Sequence, residues 1–250
     1  MQLPSAFLER PIAHRALHDS ERGRPENSLS AISAAIQAGY GIEIDLQLSR
    51  DGEAMVFHDD DLSRLTTQTG PVRQHSAAEL GAITLRHGHD PIPTLVQVLA
   101  LVAGKAPLLI EIKDQDGAMG PNVGALETAA ARALAGYIGP VAVMSFNPAS
   151  VAAMARRAPG LPRGLTTCGW DAEDQPLVPE ATRARLRGIP DYDAVGACFI
   201  SHDKSDLSRP RVADLKRDGA AVLCWTVRSP EQETEARKIA QNITFEGYAA

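Results

Sequence analysis

Short apolar runs alternate along the chain with segments whose apolar residues recur at helical spacing. Eight runs have the length and composition of buried strands: residues 10–14, 42–46, 107–113, 140–146, 162–167, 195–201, 221–227 and 241–245. The spacing between them predicts helices over residues 28–38, 95–102, 123–135, 149–158, 181–186, 211–217 and 230–240. Strands that alternate with helices are typical of a parallel sheet, and eight of them can close a barrel. The pattern therefore predicts an α/β fold, a TIM (β/α)8 barrel.

One segment interrupts this alternation after the second strand. Asp51-Gly52 is a tight turn signal between two extended runs, which predicts a β-hairpin. A two-residue turn cannot connect parallel strands. We therefore interpret residues 47–92 as a small insertion between strand 2 and helix 2, and we expect residues 1–250 to form a single catalytic barrel domain.

Acidic residues stand where buried strands should be apolar. Glu43 and Asp45 are two positions apart in the second strand, so their side chains project from the same face. Glu111 ends the third strand, and the carboxyl ends of parallel barrel strands meet at one mouth. Burying carboxylates together costs several kcal/mol unless a cation or a proton lies between them. The spacing therefore predicts a compensating cation or proton at this mouth.

Oxygen ligands without thiolates suit Mg²⁺ or Ca²⁺ better than zinc or copper. We predict that Glu43, Asp45 and Glu111 hold a divalent cation. The alternative is a buried ion-pair network, in which these acids pair with Arg15 and Lys113 and merely close the end of the barrel.

Two histidines are placed to act on a substrate at this mouth. His14 ends the first strand, and the hairpin returns His58 to the same side. Two histidines on opposite sides of a bound cation can serve as general base and general acid near neutral pH. With Arg15 and Lys113 nearby, the site suits an anionic substrate, and phosphate is the natural candidate. The remaining histidines are expected to lie at the surface: His18, His75, His87, His89 and His202.

Composition excludes several classes of partner. A formal net charge of -6 without a Lys/Arg cluster argues against nucleic acid. No apolar run approaches the ~18 residues of a membrane span, and the N-terminus lacks the features of a secretory signal, so we expect a cytoplasmic protein without stable membrane association. Cys168, Cys198 and Cys224 lie in apolar runs and are expected to be reduced core thiols.

A set of motifs spanning nearly the whole chain resembles the glycerophosphodiester phosphodiesterase family: IAHRA, RPENS, GIEIDLQLSRDGEAMVFHDDDLSRLTT, PIPTL, LLIEIK, SFNP and VLCWTV. The resemblance implies a TIM-like barrel with a divalent metal that hydrolyses glycerophosphodiesters to glycerol 3-phosphate and an alcohol. It implies these roles: His14 and His58 as the acid/base pair; Glu43, Asp45 and Glu111 as metal ligands; Arg15 and Lys113 as phosphate contacts; Phe146 and Trp225 as lining of the substrate mouth.

Two positions depart from the family pattern. Ala16 stands where Gly usually follows the HR pair, and we expect it to alter the backbone beside the phosphate because Gly permits closer approach. Phe245 stands where the last strand usually carries an acid, and we expect it to reshape the alcohol side of the pocket.

Several alternatives stay open at this point. Glu26 and Asn27 could cap the first helix or support His14 and Arg15 from behind, Asp59 could orient His58 or be solvated, and Trp225 could be plain core. A lysophospholipase D or sphingomyelinase D would share part of the motif set but act on lipids, a glycosidase would also use paired carboxylates, and a non-catalytic barrel would only bind phosphodiesters. The sequence leaves open the alcohol of the substrate and the identity of the divalent ion. The attacking group is either water or a glycerol hydroxyl that forms a cyclic phosphate, and the protein is either a monomer or a homo-oligomer.

Overall fold

The computed structural model describes residues 1–173 and 175–250, and it forms a closed barrel of eight parallel strands. The barrel strands are β1 (Ile12–Ala13), β2 (Gly41–Leu48), β4 (Leu108–Ile112), β5 (Val141–Ser145), β6 (Arg163–Thr167), β7 (Phe199–Asp203), β8 (Ala221–Val227) and β9 (Asn242–Phe245). Each pairs with its neighbour in parallel, and β1 pairs with both β2 and β9, which closes the ring. The predicted TIM barrel is confirmed.

Helices surround the barrel within the described residues. Their bounds are α1 (Ala6–Glu9), α2 (Leu29–Ala38), α3 (Ala77–Leu80), α4 (Leu95–Val102), α5 (Ala125–Leu134), α6 (Pro148–Arg157), α7 (Glu180–Leu186), α8 (Pro210–Arg217) and α9 (Pro230–Ala236). The side chains of Thr94 and Ser229 accept hydrogen bonds from backbone N–H groups of α4 and α9, which is the preferred chemistry of an N-cap. None of these helices is long and apolar enough to cross a bilayer.

Side-chain alternation along the strands divides the buried residues into two layers. On β4, Leu108, Ile110 and Ile112 pack against the surrounding helices, whereas Leu109 belongs to the cluster that fills the barrel interior. Residues of the interior parity continue upward into the mouth, because successive side chains on a strand point to opposite faces. The same parity places Glu111 above Leu109 at the open end.

The insertion has its own small core. After β2 the chain turns back into β3 (Ala54–Val56), which pairs antiparallel with β2. The turn is wider than predicted: the N–H of Ser49 donates to the carbonyl of Glu53, which leaves residues 50–52 as a three-residue loop with Gly52 at φ +82°. Its buried cluster consists of Met55, Phe57, Leu62, Val72, Leu80, Leu85 and Ile92.

Two element boundaries differ from prediction by four residues, whereas the other predicted boundaries agree to within two residues. β7 covers Phe199–Asp203 rather than residues 195–201, because Gly196 takes φ +63° and interrupts the extended run before it. α9 ends at Ala236 rather than residue 240, because the chain then tightens: the N–H groups of Lys238 and Ile239 bond the carbonyls three residues before them, at Glu235 and Ala236.

Candidate active site

Adjacent strands bring the three predicted acids together at the mouth. Asp45 on β2 pairs in register with Glu111 on β4, and Glu43 lies two residues before Asp45 on the same interior face. All three side chains are nearly fully buried, and they offer ligand oxygens that lie within 4.8 Å of one another. The predicted convergence of carboxylates therefore occurs.

Two cations share this cluster. Lys113 Nζ lies 2.8 Å from Asp45 Oδ1 and 2.5 Å from Glu111 Oε1, and Arg15 Nε lies 3.7 Å from Asp45 Oδ2. The ion pairs of the alternative interpretation are thus present. They leave one negative charge unbalanced, since three carboxylates face two cations. Burial together with the charges of Asp45 and Glu111 raises the pKa of Glu43 well above its usual value. A buried all-oxygen donor set with excess negative charge fits a divalent cation.

Asp45 is held in place by Asn27, which comes directly before Ser28, the N-cap of α2. Asn27 Nδ2 donates to Asp45 Oδ2 at 2.9 Å, while Asn27 Oδ1 accepts from the backbone N–H of Asp45 at 3.2 Å. Burial raises the pKa of Asp45, but the charges of Lys113, His58 and Arg15 outweigh it and leave the pKa below the usual range. Ser28 caps the helix instead, so Asn27 supports the site.

His14 is paired with a carboxylate from the other end of the chain. Its Nδ1 lies 2.5 Å from Glu246 Oε2, just after β9. Burial lowers the pKa of His14, an effect that Glu246 opposes. The sequence analysis missed Glu246, although an acid directly after the last strand of a parallel barrel is a usable signal.

His58 has a comparable partner next to it in sequence. Its Nδ1 lies 2.7 Å from Asp59 Oδ1, and Arg64 binds both oxygens of Asp59 at 2.6 and 2.8 Å. Arg64 also binds both oxygens of Glu26, which in turn accepts from Arg15 at 2.9 Å. Asp59 and Glu26 therefore both support the site, and Arg64 links the insertion to the first strand.

Two cavities that share lining residues open over this site. An inner cavity of about 160 Å³ is bordered by both histidines, the acids Glu43 and Glu111, both predicted phosphate contacts and the two aromatic residues. An outer cavity of about 640 Å³ shares His58, Glu111, Lys113 and Phe146 with it. The Phe146 and Trp225 rings meet edge to face at 5.6 Å, and both residues border the inner cavity.

Two sequence expectations are wrong. Phe245 does not reshape the pocket: it points to the helix layer and packs edge to face on Tyr40 and Tyr248. His202 is fully buried rather than at the surface, because β7 extends past it and turns its ring toward Thr167 Oγ1, 2.7 Å away. Ala16 takes φ +66°, a conformation that glycine adopts more readily, and its N–H bonds the carbonyl of Glu43.

Comparison with known proteins defines the class of this barrel. The model of the glycerophosphoryl diester phosphodiesterase family matches residues 14–243, which span the acids and both histidines. The chain belongs to this family, and it is therefore an enzyme of the phosphoric diester hydrolase class.

Individual relatives agree with the family match. A glycerophosphodiester phosphodiesterase of Caldanaerobacter subterraneus is 31% identical over 169 residues, which cover 63% of this chain and 67% of the relative. A phosphodiesterase of Oleispira antarctica, solved with its product sn-glycerol-3-phosphate, superposes with a TM-score of 0.77 at 24% identity over 96% of this chain and 94% of that one. A Parabacteroides distasonis enzyme gives 0.73 at 24% identity, with 94% and 92% covered. These structures support the fold.

Proposed function

We propose that the protein hydrolyses glycerophosphodiesters to glycerol 3-phosphate and an alcohol with the help of a divalent cation and two histidines. One observation carries this proposal: two histidines, each bonded to its own carboxylate, border one cavity together with Glu43 and Glu111 of the buried carboxylate cluster. The product bound to the Oleispira antarctica neighbour supports the choice of product.

Glu43, Asp45 and Glu111 would hold the cation. A bound Mg²⁺ or Ca²⁺ would neutralise charge on the phosphoryl oxygens and lower the pKa of the attacking oxygen. Arg15 and Lys113 border the same cavity and would add positive charge for the phosphate, which gains negative charge in the transition state.

The two histidines would divide the proton transfers. His14 borders only the inner cavity, and we assign it the role of base toward the attacking oxygen. His58 borders both cavities, and we assign it the role of acid toward the departing alcohol, whose substituent would extend into the larger outer space. The attacker is either water or the glycerol hydroxyl beside the ester, and His14 would serve either one. Phe146 and Trp225 would wall the inner cavity and keep bulk water from it.

A panel assay tests this proposal. Purified protein is treated with EDTA, reloaded with Mg²⁺ or Ca²⁺, and assayed for glycerol 3-phosphate released from several glycerophosphodiesters. We expect activity only with metal, and a large loss in Glu43→Gln measured alongside. Full turnover after complete metal removal would reject the role of the cation. Cleavage of lysophospholipid or sphingomyelin vesicles in preference to soluble diesters would favour a lipid substrate instead, and binding without turnover would favour a binding barrel.

Two further sequence predictions accompany this function. The single catalytic domain over residues 1–250 and the cytoplasmic location stay predictions. The absence of a membrane-crossing helix among the described residues is compatible with both.

A further inference from the structure

The pleat of the last strand points Glu246 into the mouth of the barrel. Asn242 and Thr244 face the barrel interior, where Asn242 Nδ2 bonds the carbonyl of Phe7 and Thr244 borders the inner cavity. Ile243 and Phe245 face the helix layer. Because alternate residues share a face, the side chain at position 246 returns to the mouth.

Both oxygens of Glu246 are engaged, and each has its own kind of partner. Oε2 faces His14 Nδ1 at 2.5 Å, with His18 Nε2 at 3.6 Å. Oε1 faces Arg228, whose Nε and Nη2 each lie 2.7 Å away. Burial raises the pKa of Glu246, but the hydrogen bond from His14, the nearby His18 and the charge of Arg228 outweigh it and leave the pKa well below its usual value. The group therefore stays ionised at neutral pH.

An ionised carboxylate can only accept hydrogen bonds, so the proton of this pair belongs to His14 Nδ1. A neutral imidazole carries one proton. His14 Nε2 must then be unprotonated and ready to accept one. The carboxylate fixes both the tautomer and the orientation of the ring, in the way that a buried acid orients the histidine of a hydrolase triad.

We propose that Glu246 is the positioning residue of His14: it holds the proton on Nδ1 so that Nε2 can take the proton of the attacking oxygen. This inference rests on the proposed function, in which His14 is the base. In that step the O–H bond of the attacker breaks and its proton forms a new N–H bond at Nε2. The attacking oxygen bonds to phosphorus, the P–O bond to the alcohol breaks with its electron pair on the departing oxygen, and His58 protonates that oxygen. Glu246 is not protonated in the step, and its charge stabilises the imidazolium that results.

The geometry makes Glu246→Gln a sharp variant. Arg228 presents two donors to one side of residue 246, so the amide oxygen of Gln is expected to stay there. The amide NH₂ then faces His14 Nδ1 and can only donate to it. Nδ1 becomes an acceptor, and the proton moves to Nε2, the nitrogen that is unprotonated in the wild type and accepts the proton of the attacker. The variant should therefore hold the histidine in the wrong tautomer.

The tautomer is measured directly by ¹⁵N NMR on the full-length labelled protein, with the signals of His14 assigned from a His14→Asn spectrum. At about pH 8, where the ring is neutral, we expect the proton on Nδ1 in the wild type and on Nε2 in Glu246→Gln. A wild-type ring protonated at Nε2, or a tautomer that does not change in the variant, would overturn the inference.

Kinetics supply the second readout. Glu246→Gln should lower kcat by roughly 10² to 10⁴ with little change in KM, because the general base is disabled while the binding groups remain. Glu246→Asp keeps the charge and should recover activity to within about tenfold of the wild type. Glu233→Gln is the matched control: this α9 carboxylate is 20% exposed against 19% for Glu246, bonds Arg237 in a similar way, and should leave kcat unchanged.

The two readouts separate the inference from the function on which it rests. A tautomer change together with a loss of kcat supports both. A tautomer change with full kcat would support the positioning by Glu246 but reject His14 as the base. Equal losses of kcat in Glu246→Gln and Glu246→Asp, with both proteins folded, would overturn the positioning role.

Discussion

The two histidine–carboxylate pairs at the mouth are built in different ways. His14 and Glu246 are separated by 232 positions and meet because β1 and β9 are neighbouring strands. His58 and Asp59 are adjacent in sequence and lie on the insertion, just after β3. The side chain of His14 is 14% exposed and that of His58 is 28% exposed. The His14–Glu246 pair is part of the barrel, whereas the insertion brings the His58–Asp59 pair to the mouth of the barrel.

The difference shows what each pair depends on. The strand pleat and the register of the barrel determine the first pair. The second depends on the small core of the insertion and on Arg64, which binds Asp59 and Glu26 and so connects His58 to Arg15 on the barrel side. His58 therefore reaches the mouth on a separate segment, and it is the histidine that borders both cavities.

Removing either histidine gives the largest expected effect. We expect His14→Asn and His58→Asn each to lower kcat by about 10² to 10⁴, because each removes a proton-transfer group. Steady-state assays of glycerol 3-phosphate release, with circular dichroism to confirm folding, measure this. His89→Asn is the matched control, since His89 is exposed and borders neither cavity. Near-normal turnover in either variant would remove that histidine from the mechanism.

Neutralising Glu246 and neutralising Asp59 should lower kcat by unequal amounts. This difference is the most direct test of the contrast between the two histidine–carboxylate pairs. Asp59 Oδ1 accepts from both His58 Nδ1 and Arg64 Nη2, so Asn at position 59 can keep its oxygen there and still accept from the ring. We expect Asp59→Asn to cost roughly tenfold in kcat, against the larger loss expected for Glu246→Gln. Equal losses in the two variants would show that the carboxylates act through charge alone.

Much of the fold and most of the candidate site could be predicted from the sequence. Strands read from apolar runs place side chains by parity, so Glu43, Asp45 and Glu111 could be assigned to one mouth before any coordinates. β8 and α4 have their predicted bounds. The pair of His58 and Asp59 was also within reach, since the two are adjacent.

The missed features all depend on contacts between distant segments. Glu246 lies one residue beyond β9, and its partner His14 is 232 positions away in the sequence. Arg64 gave no sequence signal, since its two partners come from different loops. His202 was placed at the surface because β7 was predicted to end at residue 201.

Cutting the link between the insertion and the barrel should have a smaller effect. Arg64→Met removes the bridge between Asp59 and Glu26 but leaves the hydrogen bond between His58 and Asp59. The side chain of Arg64 is 47% exposed, so we expect a loss of only two- to fivefold in kcat, about the worth of an exposed ion pair. Arg132→Met removes an ion pair of an arginine that is 60% exposed and serves as control. A hundredfold loss would mean that Arg64 acts on the substrate directly.

The smallest effect concerns stability in acid, and both pairs should show it with the same sign. Partner hydrogen bonds and cations hold the pKa values of Glu246 and Asp59 below their usual range, even though burial raises them. A carboxylate whose folded pKa is lowered stabilises the fold above its unfolded pKa of about 4, and this contribution is lost as the pH falls further. The Tm should therefore fall less steeply between about pH 5 and pH 3 in Glu246→Gln and in Asp59→Asn than in the wild type. Thermal scans across this range measure it. If the Tm of a variant fell in parallel with that of the wild type, its histidine–carboxylate pair would contribute no acid-sensitive stability. If the Tm curve were flatter in one variant alone, the two pairs would differ in their contribution to folding as well as in catalysis.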